Sequence, residues 1–114
     1  MGHPVVHFEI IGEGARELGS FYSEVFEWKL NFDNSMNYGI VDTGSVPAGG
    51  IGEPQGGLAN RTTLYIQVPD INKTLEQVGG LGGKTVMART EIPGAVTMAL
   101  FEDPRGNLIG LVEG

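Results

Sequence analysis

The sequence predicts an α+β fold in which one β-α-β-β-β unit is used twice, and three observations predict it. A period-two strand leads into an amphipathic helix, and this pair occurs in each half of the chain. Each helix is followed by three further apolar strands punctuated by turn residues. The second set starts at an offset of nearly half of the 114 residues, so the duplication determines the fold more than any single segment does. The length suits a single domain, with module one over about residues 1–56 and module two over about 60–114. A chain of this size hides roughly 65% of the surface its unfolded form exposes, enough to fold without staples.

The elements follow in order. In "PVVHFEII", Val6, Phe8 and Ile10 share one face, and Val5, His7, Glu9 and Ile11 share the other. "ARELGSFYSEVF" places Leu18, Phe21, Tyr22, Val25 and Phe26 near helical spacing, with Glu13, Glu17 and Glu24 on a solvated face. "WKLNF" reads as a strand, "DNSMN" as a turn, "YGIVD" as a strand and "GGIGE" as a short glycine-rich strand. In the second half "RTTLYIQV" alternates Thr62, Leu64, Ile66 and Val68 against Thr63, Tyr65 and Gln67. Pro69-Asp70 starts a helix carrying Ile71, Leu75, Val78 and Leu81, which Gly79, Gly80, Gly82 and Gly83 end. "KTVMART", "AVTMALFED" and "NLIGLVE" are strands, the last two joined by a tight turn at Asp103-Pro104-Arg105-Gly106.

Composition narrows the function. Fourteen acids against seven bases give a formal charge of −7, which repels phosphate backbones and anionic lipid, so neither nucleic acid nor membrane is expected as a partner. With no cysteine, disulfides, thiolate nucleophiles and cysteine metal sites are excluded. No apolar run reaches the roughly 18 residues that span a bilayer, and no signal-peptide pattern opens the chain, so a soluble cytoplasmic protein is expected. The 19 glycines cluster between patterned segments and read as turns and bulges. They do not form the strand-to-helix dinucleotide fingerprint, and no phosphate-binding loop is present.

When the halves are stacked, His7 falls on Thr63, Glu9 on Tyr65, Gly50 on Gly110 and Glu53 on Glu113. An acid ending the apolar strand "LIGLVE" has two readings: a solvated strand end, or a group facing a cavity. Its counterpart at Glu53 leans towards a site. Glu9, Tyr65 and Gln67 are too polar for a sealed core and with Thr63 suit an organic ligand, Ile109 and Leu111 forming the apolar wall.

"HFEI", "FYSEVFEW", "VPDI" and above all "FEDPRGNLIGLVE" resemble the vicinal oxygen chelate superfamily of glyoxalases, bleomycin-resistance proteins and extradiol dioxygenases. The resemblance covers essentially the whole chain. It implies two β-α-β-β-β modules whose curled mixed sheets surround a shared cavity, usually within a homodimer. It also implies a divalent metal (Zn, Ni, Mn or Fe) held by residues of the first and last strands of each module. Carried onto this chain the positions are His7, Glu53, Thr63 and Glu113, of which Thr63 departs from the usual histidine or glutamine and is a poor ligand. That leaves His7, Glu53 and Glu113 as metal ligands. The implied chemistry is metal-assisted lyase or isomerase action on a small carbonyl or vicinal-oxygen compound, with Glu113 or Glu53 as the base and Glu9 behind them. The alternative is a non-catalytic module that sequesters a drug-like or metabolite ligand, for which an acidic surface suits a cationic compound.

Overall fold

The computed structural model describes residues 2–34, 37–55 and 59–114. Ser35 and Met36 of the expected "DNSMN" turn, and Gly56 and Gly57 of the first glycine cluster, lie outside the described residues. The element order is β1 (Val5–Ile11), α1 (Ala15–Phe26), β2 (Lys29–Asn31), β3 (Gly39–Asp42), β4 (Ala48–Gly52), β5 (Arg61–Val68), α2 (Ile71–Gly80), β6 (Lys84–Glu91), β7 (Thr97–Glu102) and β8 (Leu108–Glu113). This is an α+β arrangement of mixed sheet and two helices. Among the described residues no helix is long and apolar enough to cross a membrane.

The chain divides into two compact units: Val6–Thr63, and Leu64–Gly114 with the N-terminal residues up to Val5. Strand β5 begins in the first and continues in the second. In the first unit the strands run in the order β2-β3-β4-β1, with β1 parallel to β4 and β3 antiparallel to both its neighbours. Alternation along β1 turns Phe8 and Ile10 towards α1, where they pack against buried Ala15, Val41 and Ile51 with Leu18, Tyr22 and Trp28. His7, Glu9 and Ile11 stand on the opposite face. Gly19 lets α1 approach the sheet, since a Cβ there would lie 2.7 Å from the Leu30 side chain.

In the second unit the order is β5-β8-β7-β6, with β5 parallel to β8 and β7 antiparallel to both β8 and β6. Val68, Ile71, Ala99 and Leu111 form the core beneath α2, with Ile66, Leu75 and Phe101 packed against it. Asp70 caps α2 by accepting the Lys73 amide at 3.0 Å. The turn before β8 is held by the Asp103 carboxylate, which accepts from the Arg105 and Asn107 amides and from Asn107 Nδ2. Those bonds, Asn107's first, draw the Asp103 carboxyl below its ordinary range.

Candidate functional site

The two strand-end acids are placed by the strands that precede them. Glu53 follows Ile51 onto the α1 face, and its carboxylate accepts the Gly14 amide at 3.2 Å and the Ala15 amide at 2.7 Å. Glu113 follows Leu111 onto the α2 face, where Oε2 accepts the Ile71 amide at 2.9 Å. Arg89 donates to the same carboxylate, with Nη2 2.7 Å from Oε1. These donors, Arg89 first and the Ile71 amide next, hold the Glu113 carboxyl below the ordinary carboxylate range. Each acid therefore serves the start of a helix in its own unit, where unpaired amides and the positive end of the helix dipole favour a carboxylate.

On the other face of the strands of the first unit the structure gathers a different set. Tyr38, just before β3, donates its hydroxyl to Glu9 Oε2 at 2.8 Å and lies 2.9 Å from His7 Nε2. Arg61 Nη2 donates to the second Glu9 oxygen at 3.2 Å. Glu9 is buried, while His7, Tyr38 and Arg61 are half-buried. Burial pushes the His7 imidazole below its usual range, and the nearby Glu9 carboxylate opposes that shift, so the ring rests neutral near pH 7. Since the Tyr38 proton goes to Glu9, the His7 proton sits on Nε2 and is donated to the phenol oxygen.

His7 and Glu9 were expected at a site; Tyr38 and Arg61 were not. Arg61 could have been found by extending the Thr63–Tyr65–Gln67 face of β5 back by two residues. Tyr38 carries no such signal, because it is drawn in by glycine on another strand.

The other expected residues are distributed differently. Thr63 is buried, and its hydroxyl has no hydrogen-bond partner among the described residues. Tyr65 is also buried, its ring lying over its register partner Gly110. Gln67 shares the Tyr65 face by alternation, and its backbone N–H donates to the Pro4 carbonyl at 2.9 Å. Leu111, expected on a ligand-facing wall, is instead part of the core beneath α2, on the face opposite Tyr65. Ile109 follows it there: it lies on the Leu111 side and pairs with Phe101, which packs on that core.

The residues present do not fit the implied metal. Within one sheet Glu53 stands on the face opposite His7, and its two oxygens already accept helix amides. The Glu113 carboxylate is engaged by Ile71 and Arg89. Among the described residues no group of three His, Asp or Glu side chains could hold a metal ion. The expected ligand set of His7, Glu53 and Glu113 is corrected accordingly. The same bonds argue against Glu53 or Glu113 as the base, since both carboxylates are committed as acceptors.

A family model described as a glyoxalase-like domain matches residues 9–112. The chain belongs to the glyoxalase-like domain family. This family member is 27% identical over 79 residues to a Mycobacterium bovis protein named "Putative glyoxylase CFP32", covering 68% of this chain; a Mycobacterium tuberculosis protein of that name matches equally. The chain spans about 30% of the length of these curated relatives. Among solved structures, the hypothetical protein BH1468 of Bacillus halodurans C-125 superposes with a TM-score of 0.76 at 13% identity, covering 100% of this chain and 96% of that one. Methylmalonyl-CoA epimerase from Mycobacterium tuberculosis gives a TM-score of 0.69 at 17% identity, covering 96% and 86%. A glyoxalase/bleomycin resistance protein/dioxygenase superfamily member from Vibrio splendidus 12B01 gives 0.68 at 14%, covering 99% and 100%. These likenesses establish the shared fold.

Proposed function

We propose that this glyoxalase-like chain takes a small carbonyl or vicinal-oxygen compound against the sheet face bearing His7 and Glu9, and moves a proton beside the carbonyl in an isomerase- or lyase-type step. The observation that carries the reading is the Tyr38 hydroxyl bridging His7 Nε2 and Glu9. In this scheme neutral His7 accepts the proton, the C–H electron pair moves into the carbonyl to give an enolate, and the proton is later returned to carbon or to a neighbouring atom. The imidazolium formed in between is stabilised through Tyr38 by the Glu9 carboxylate, which Arg61 holds in place. Family membership and the epimerase of similar fold support this class of step. Homodimerisation belongs to the same proposal and is read by sedimentation.

Proton exchange tests it. In D2O, proton NMR should show loss of the C–H signal next to the carbonyl of hydroxyacetone or methylmalonyl-CoA, with the rate falling about 100-fold in His7→Gln. An unchanged rate in His7→Gln removes His7 from the chemistry. The second reading is a sequestering module, favoured by the commitment of Glu53 and Glu113 to helix amides rather than to a shared ion. It predicts thermal stabilisation by a bound basic aromatic compound with no exchange on either probe.

A further inference from the structure

Strand β4, parallel to β1, offers no metal-binding side chain on the His7 face. The register pairs His7 with Ala48, Glu9 with Gly50 and Ile11 with Gly52. Over the middle position lies Tyr38: a Cβ built on Gly50 would overlap its hydroxyl oxygen and Cζ. A Cβ on Gly52 would lie 2.8 Å from Tyr38 Cδ1. The two glycines thus form a cradle for the phenol, and no side chain can extend from position 50 while the ring is seated there. Its hydroxyl stands between a histidine nitrogen at 2.9 Å and a carboxylate oxygen at 2.8 Å, two groups that a cation would otherwise bridge. The charge a cation would bring to Glu9 is supplied by Arg61, 3.2 Å from Oε1.

We infer that Tyr38, seated on Gly50, takes the place of a divalent metal between His7 and Glu9, so that this centre is built to work without one. Tyr38 is then a positioning residue for His7, and Gly50 is required because it leaves room for the phenol.

Metal uptake tests the inference without any substrate, so its failure is distinct from failure of the proton-transfer reading. Zinc and nickel chloride are titrated calorimetrically into the full chain and its variants, each checked for folding by circular dichroism. The wild type is expected to show no one-to-one uptake that His7→Gln abolishes. Tyr38→Ala combined with Gly50→Glu vacates the cradle and installs a carboxylate beside His7 and Glu9. That double variant is expected to bind one equivalent at least about tenfold more tightly than the wild type, and to lose it on adding His7→Gln. Should it not fold, Tyr38→Ala alone serves, with the expected outcome that zinc shifts the His7 ring nitrogen resonances at concentrations that leave the wild type unmoved. One-to-one uptake by the wild type that depends on His7 would overturn the inference. So would a folded variant that binds metal no better than the wild type.

Discussion

The helices α1 and α2 begin in different ways, although a carboxylate from the end of a strand reaches both. At α1 the N-cap is Gly14, in the left-handed region at φ 69°, with no side chain to accept an amide. Glu53 supplies what is missing and accepts two amides, from Gly14 and Ala15. At α2 the chain provides Asp70 as its own cap, so Glu113 accepts only the Ile71 amide and turns its remaining capacity to Arg89. A strand-end acid in this fold thus compensates for whatever the preceding loop leaves unpaired. That answers why an apolar strand such as β8 finishes in an acid without requiring an ion at its end.

The comparison can be broken most strongly beneath α2 rather than at its start. Leu111→Ala should cost about 3 kcal/mol in chemical unfolding, because it empties packed volume against Ile71 and Val68. A loss below about 1 kcal/mol would return Leu111 to an open wall. Next comes Glu53→Ala, which strips two amides of their acceptor at a helix with no cap of its own, and should cost about 2 kcal/mol. Asp70→Ala should cost about 1 kcal/mol, less than Glu53→Ala because Glu113 still covers the first amide of α2. The reverse order would mean that the two starts are not divided as described.

The smallest effect is a change of pH dependence. The folded-state pKa of Glu113 lies below its ordinary 4.5, so its contribution is complete above that value and is lost as pH falls through the lower folded value. Glu113→Gln should therefore narrow its stability difference from the wild type as pH falls through the region below about 4.5, read as melting temperature against pH. A gap of constant size down to low pH would show that the charge on Glu113 contributes nothing to folding.

Much of the fold was legible because each element carries a local signal. The helical spacing in "ARELGSFYSEVF" and the Asp70 cap gave both helices, which span Ala15–Phe26 and Ile71–Gly80. The alternation of "PVVHFEII" separated His7 and Glu9 from the core-facing Phe8 and Ile10. Strand β8 gave no such guidance: Leu108, Ile109, Leu111 and Val112 are apolar on both faces, so the side bearing Leu111 could not be chosen from pattern alone. Glu53 and Glu113 were stacked as equivalents, but the strands that precede them carry each towards the start of a helix in its own unit. Tyr38 was invisible because what places it is a steric allowance at Gly50, on a neighbouring strand, and no local period records that.

The central claim is that the strand-end acid Glu53 and the His7 centre are separate structures on opposite faces of one sheet. The most direct measurement is nitrogen-15 NMR of the Gly14 and Ala15 amides together with the His7 ring, in Glu53→Gln and in Tyr38→Phe. The account predicts that Glu53→Gln moves the two amides and leaves the imidazole unchanged, whereas Tyr38→Phe moves the imidazole and leaves the amides unchanged. A Glu53→Gln spectrum in which the His7 ring nitrogens shift as far as they do in Tyr38→Phe would contradict it.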